Sequence, residues 1–374
     1  MKKREGIGKR LRETRRSIEM TLKEAAKKAG FRNYQTLAKI EDGKRSVKAM
    51  ELAILADIYA RDISFFLSPS PARYSFSISW RKSKETKKLP IIEQTLKTLL
   101  ERYLSLEEKF GMKERRPSLP LIVKKHLSYE SAAELGEECA KFLGLGKRPA
   151  LSLSYTLEKD RNIPVFYLKL PGGTSAATIS SNDISAICIN SNEAPWRRNF
   201  DIAHEFFHII YPSKSDSSCG LNDTTNIEKW ANAFASGLLL PTDVVQKFFN
   251  RFRTKKELTV LNLVMGANDL GVSTAALVWR IVNLGWIKRI DAEELLQSDI
   301  LKAQDREIRS QISWESPHLS NHFVSMVFKA VSEGLLSRAK AAEYLMINLA
   351  NLDTVFLKEG FYTDEDYSIK VPIT

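Results

Sequence analysis

His204-Glu205-Phe206-Phe207-His208 constrains this chain more than any other stretch, because two histidines stand one helical turn apart with a glutamate beside the first. Residues i and i+4 share one helix face, so both imidazoles can grip one metal ion while Glu205 reaches a metal-bound water. Glu205 is therefore the candidate general base. The neighbours Ile202, Ala203, Phe206, Phe207, Ile209 and Ile210 are apolar, as in a helix that crosses a domain core. Burying two histidines and a glutamate there is costly without hydrogen-bond partners or a metal. The alternative is a pair of core histidines satisfied by hydrogen bonds.

A catalytic zinc needs a third protein ligand and an open position. Glu228 is the candidate, at the start of a predicted small-residue helix that ends at Pro241. Ala231, Asn232 and Ala235 follow it at helical spacing, so that face can pack closely on the histidine helix. Asp216 and Asp223 are rival ligands in the intervening segment, and Glu228 could instead be a carboxylate favoured by a helix N-terminus.

From Trp196 to Pro241 the chain resembles the ImmA/IrrE family of bacterial zinc metallopeptidases. Ala203 to His208 matches that family's A-H-E-x-x-H helix, and Glu228 to Pro241 its E-x-x-A-N-x-F-A-x-x-L-L-x-P segment. The resemblance implies that His204, His208 and Glu228 hold Zn2+ and that Glu205 activates the water. It also implies a partner transcriptional repressor as the protein substrate, whose cleavage releases stress-response or mobile-element genes. Tyr155 and Tyr211 are open choices for stabilising an oxyanion. The alternative function is a DNA-binding regulator, or an antitoxin-like repressor, whose peptidase fold serves as a sensory or interaction module.

The formal net charge of +12 is concentrated at one end: residues 1 to 48 hold 16 Lys or Arg against 6 Asp or Glu, a net of +10. Such concentration points to a polyanion, since each cation near a phosphate adds counterion release. Ile7 and Leu11 begin an amphipathic helix, Thr21 and Glu24 form a capping box for a second over Leu22 to Ala29, and Asn33 to Ile40 makes a third. With Ala25, Ala29, Leu37 and Ile40 inside and bases outside, the pattern predicts a helix-turn-helix. Leu37 to Arg45 resembles the Xre/Cro-type repressor domain. If it reads DNA, Asn33, Tyr34, Gln35 and Thr36 at the start of the third helix face base edges, with Lys23, Lys39, Lys44 and Arg45 near phosphates and Arg32 a further DNA-binding residue. Protein recognition is the competing role for this unit.

The expected fold is α+β and predominantly helical. Residues 1–70 make a five-helix helix-turn-helix domain, 71–125 a helical linker region, 126–253 a zincin-like peptidase with a small antiparallel sheet, and 254–374 a C-terminal helical domain. Ser68-Pro69-Ser70-Pro71 punctuates the first boundary, and Gly111 to Pro117 reads as a linker. Ile91 to Phe110 reads as a long helix for core packing or for a homodimer. Tyr129 to Leu143 is a further helix. Strands are predicted over Ile163 to Leu168, Ala176 to Ser180 and Ile184 to Asn190, and an edge strand could hold an extended peptide by backbone pairing. Leu258 to Leu284 contains a turn and cap at Gly271 to Thr274 and reads as scaffold. His318 and His322 repeat the i,i+4 spacing at a helix start and read as surface or capping residues. Helices over Phe323 to Gly334 and Ser337 to Ala350 close the pattern, before an acidic end at Asp364-Glu365-Asp366.

No apolar run has membrane-span length, and no signal-peptide core follows the charged start, so a cytoplasmic protein without membrane contact is expected. Cys139, Cys188 and Cys219 are far apart, with no C-x-x-C pair, and read as reduced thiols.

Overall fold

In the computed structural model, the described residues are 2–68, 75–80, 89–112, 127–181, 184–211, 221–251, 259–312, 314–317 and 319–361. Asp216, Cys219, His318, the 364–366 tail, most of the predicted linkers and the side chain of Asp223 lie outside them.

The first five helices are α1 (Lys2–Ser17), α2 (Leu22–Lys28), α3 (Tyr34–Glu41), α4 (Ala49–Ile58) and α5 (Ile63–Leu67). Thr21 and Glu24 close the expected capping box on α2, and Gly30, at φ 73°, supplies the left-handed turn that follows it. Leu11, Ala25, Leu37, Ile40, Leu55 and Phe66 meet in a core of their own. Inside it the Arg15 guanidinium donates twice to Glu41, at 2.7 and 2.9 Å, which fixes α1 on α3.

β1 (Ser77–Trp80) and α6 (Leu89–Lys109) follow. Buried Arg102 of α6 joins the N-terminal helices to the rest, donating to Asp62 at 3.1 Å and to the Glu343 carbonyl at 2.7 Å. Then come α7 (Tyr129–Phe142), α8 (Pro149–Arg161), β2 (Val165–Leu168), β3 (Ala176–Ser180), β4 (Ser185–Asn190), α9 (Pro195–Ile210), α10 (Leu221–Leu239) and α11 (Thr242–Asn250). The sequence pattern did not reveal α8.

The sheet differs from the expected small antiparallel one. Its order is β1-β3-β4-β2, with β1 and β4 antiparallel to β3 but β2 parallel to β4. β4 sits inside because Ala186, Ile187, Cys188 and Ile189 are apolar on both faces. A chain that enters on β2 and turns back from β3 into β4 therefore leaves β2 and β4 side by side in the same direction. The four residues of β1 were not predicted as a strand.

The sheet divides two cores. Val165, Ala176, Ile187 and Ile189 face α9 and a core running from Leu127 to Ala292, which crosses residue 253. Phe166, Ala177, Ile179 and Cys188 face the other way, onto Leu96, Leu99 and Tyr103 of α6 and onto helices near the C-terminus.

Those later elements are α12 (Val260–Asp269), α13 (Thr274–Asn283), α14 (Arg289–Gln297), α15 (Asp299–Ser310), α16 (Asn321–Ser332), α17 (Arg338–Tyr344), a 3-10 turn (Leu349–Asn351) and α18 (Leu352–Lys358). α12 and α13 meet at 103° across Gly271. Leu277, Val278 and Ile281 of α13 are buried. The predicted single helix over Ser337 to Ala350 is instead broken, with Met346 at φ 54°. Among the described residues no single helix is long and apolar enough to cross a membrane.

Candidate metal centre

α9 begins with Pro195, whose missing N–H costs nothing in a first turn, and carries the histidine motif through its buried middle. His204 is fully buried, Glu205 is 2% exposed and His208 is half-buried. α10 crosses beside it and brings Glu228 to the two imidazoles. Glu228 lies about two turns inside α10 rather than at its start, because the helix already begins at Leu221. The helix-terminus reading of Glu228 is therefore removed.

The facing atoms are closely spaced. His204 Nε2 lies 3.2 Å from Glu228 Oε2, His208 Nε2 lies 3.3 Å from Glu228 Oε1, and the two Nε2 atoms are 3.2 Å apart. Zinc bonds of about 2.0–2.1 Å in tetrahedral geometry space neighbouring ligand atoms about 3.3 Å apart. The three donors thus fit that ion, and among the described residues they form the one His, Cys, Asp and Glu group of this kind. Hydrogen bonds from His204 and then His208 hold the Glu228 carboxyl well below the ordinary carboxylate range, against the opposing effect of burial.

Two further side chains orient this group, and neither had been given that role from sequence. Asn232 Oδ1 lies 3.0 Å from His204 Nδ1. An amide oxygen only accepts, so Nδ1 carries a proton, and Nε2, which faces Glu228 and His208, is the nitrogen that a neutral ring would offer to a metal. Thr178 of β3 donates from Oγ1 to Glu205 Oε2 at 2.7 Å. The available signal for Asn232 was its position four residues after Glu228, one turn along the same face. For Thr178 there was none, since no local pattern says which strand lies over α9.

Tyr155 is more than half exposed and accepts from Lys159 Nζ at 2.6 Å. Tyr211 is buried just after α9, stacked on Phe207 with ring centroids 5.1 Å apart. His322 is partly buried beside the Tyr103 ring, and burial lowers its pKa, with Lys159 adding to the effect. Cys139 and Cys188 are buried free thiols.

On the N-terminal helices, Lys23, Arg32, Asn33, Tyr34, Gln35, Lys39 and Lys44 are exposed together around α3. Asn33 spends its side-chain oxygen on the helix cap, accepting from the Thr36 amide at 3.0 Å and the Thr36 hydroxyl at 3.1 Å. Arg45 is tied to Glu51 at 2.8 Å, and Lys23 lies over the Tyr34 ring at 5.9 Å.

Residues 158–282 match the family model Peptidase_M78, the IrrE N-terminal-like domain. That segment is thus similar to a peptidase family. It spans β2 to β4 and α9 to α12 with nearly all of α13, and so includes all three facing donors and Glu205. No curated protein matches the chain. Among solved structures, the apo form of the competence regulator ComR from Streptococcus vestibularis aligns over 96% of this chain and 100% of its own, at 9% identity and a TM-score of 0.17.

Proposed function

We propose that this protein is a zinc-dependent endopeptidase that cleaves a partner transcriptional repressor and contacts DNA through its N-terminal helix-turn-helix unit. The observation that carries the enzymatic part is the facing set of His204, His208 and Glu228 at tetrahedral spacing, with Glu205 beside it. The peptidase family match over the same residues supports it.

Zn2+ at this site would supply Lewis acidity toward the peptide carbonyl. The protein's own part follows from its side chains. His204 and His208 present Nε2, Asn232 holds the His204 ring in the matching tautomer, and Thr178 anchors one oxygen of Glu205. Glu205 takes a proton from the attacking water and returns it to the leaving nitrogen. The apolar packing of Phe206, Phe207 and Phe234 around the motif keeps bulk water from the helix interior.

The deciding measurement is zinc per chain in protein purified without a metal-binding tag. About one zinc in wild type, lost in His204→Ala and in Glu228→Ala but kept in Glu205→Gln, is expected. A wild type that takes no zinc after reloading would overturn the enzymatic reading. It would leave a DNA-binding regulator, for which the exposed bases around α3 are the supporting observation. That part is tested by duplex binding: affinity should fall steeply as salt rises, and no binding at low salt would refute it.

A further inference from the structure

We propose that the outer edge of β3 is the docking edge for an extended substrate segment, and that Ser77–Trp80 occupies this edge as an internal stand-in for substrate. The role of this edge toward a substrate rests on the peptidase reading above. The occupancy of the edge does not.

β3 is the strand beside the base, because its Thr178 donates to Glu205. An exposed strand edge binds an extended peptide through main-chain hydrogen bonds, with alternate side chains supplying specificity. One edge of β3 is taken by β4 and the other by β1, in the register Ser77 to Ser180, Ile78 to Ile179, Ser79 to Thr178 and Trp80 to Ala177. Residues 158–282, which match the peptidase family, contain β2, β3 and β4 but not β1. The cover therefore comes from a part of the chain outside the matched domain.

The manner in which β1 is held defines the class of segment it imitates. Ile78 and Trp80 point to the back of the sheet and pack on the core built around α6. Trp80 Nε1 also donates to Glu93 at 2.8 Å. Ser77 and Ser79 point to the front, the face of Thr178, and both are exposed. Opposed residues in an antiparallel pair share a face, so Ser79 stands next to the residue that anchors Glu205. A segment replacing β1 would thus alternate large apolar residues behind the sheet with small polar ones in front. Four residues of ladder with half their side chains exposed is a short attachment, of the kind that opens locally without global unfolding.

The test uses the full chain carrying Glu205→Gln, so that no hydrolysis intervenes. Ser79→Pro removes a ladder donor from β1, because Ser79 is paired with Thr178 at a position whose backbone groups face β1, and the double variant Ile78→Lys with Trp80→Lys strips its apolar anchors while keeping the backbone intact. The probe is a fluorescein-labelled peptide with the sequence of residues 75–80, Ser-Phe-Ser-Ile-Ser-Trp. Binding at least ten-fold tighter to both variants than to the unmodified β1 is expected, and equal binding would overturn the proposal. Hydrogen exchange on the wild-type chain decides the matter should the variants fail to fold. β3 should exchange faster than β4, through departure of β1, whereas equal protection of the two strands would make β1 a permanent part of the sheet and sink the idea. Zinc content is read separately, so a chain that docks the peptide yet takes no metal refutes the peptidase reading alone.

Discussion

The Thr178 hydroxyl donates to Glu205 across 2.7 Å, with both side chains buried between β3 and α9. A carboxylate at that depth needs its donors, because an unpaired buried acceptor costs far more than an ordinary hydrogen bond yields.

Thr178→Val keeps the shape of the side chain and removes the donor. It should cost about 1–3 kcal/mol, read as a lower urea midpoint at unchanged slope. Thr178→Ser retains the hydroxyl and should recover most of that loss. If valine and serine lower the midpoint equally, the effect is packing and the hydrogen bond to Glu205 is not its source.

Asn232→Ala should weaken zinc binding by about 10–100-fold, the usual cost of losing a partner that orients a ligating histidine. Competition against a chelator measures this directly. Nitrogen-15 shifts of His204 in the metal-free protein give an independent readout: the Nδ1-protonated tautomer should dominate in wild type and lose that dominance in the variant. Unchanged tautomer and unchanged affinity would remove Asn232 from the site.

The histidine helix was legible in the sequence because its spacing and its apolar neighbours are local properties of one segment. The same holds for the capping box at Thr21 and Glu24, for the helices around Leu37, and for the strand at Ala176–Ser180. Sheet direction was not legible. The alternation in Val165–Leu168 states which side chains share a face, while its parallel pairing with β4 depends on where the chain goes afterwards. Ser77–Trp80 alternates correctly but is too short to stand out, and only its partner β3 makes it a strand. Thr178 became part of the site for the same reason, through a contact made across the fold. The start of α10 at Leu221 is not legible, because Asn222, Asp223, Thr224 and Thr225 have weak helix propensity and read locally as loop.

Glu158 of α8 predicts a pH dependence of stability. It is 3% exposed, and burial pushes its pKa up from 4.5 to about 8, outweighing hydrogen bonds from Ser320 and Ser154. The folded protein therefore keeps this proton over a range in which the unfolded chain has released it. The stabilisation from this group is fully present below pH 4.5 and is lost as pH rises through 8, by an amount on the order of 3–5 kcal/mol. Glu158→Gln removes the titrating group, so its urea midpoint should fall less between pH 5 and pH 9 than that of wild type. Parallel pH profiles would show that Glu158 ionises normally in the folded state.

Gly237 sets how closely α10 can lie against α7, and hence where Glu228 and Asn232 stand. A methyl group at Gly237 would sit 2.0 Å from the Ala133 carbonyl oxygen, and one at Gly136 would sit 2.2 Å from that of Phe234. Both obstacles are backbone, so neither can rotate away. Gly237→Ala should therefore cost about 1–3 kcal/mol as the helices part, despite the gain in helix propensity that alanine normally brings. Because α10 moves as a rigid rod, zinc content should fall with it. Gly172→Ala is the control, since an added methyl there meets nothing within 4 Å. A Gly237→Ala protein with full zinc occupancy and an unchanged unfolding midpoint would mean that the spacing of α7 and α10 does not position the metal site.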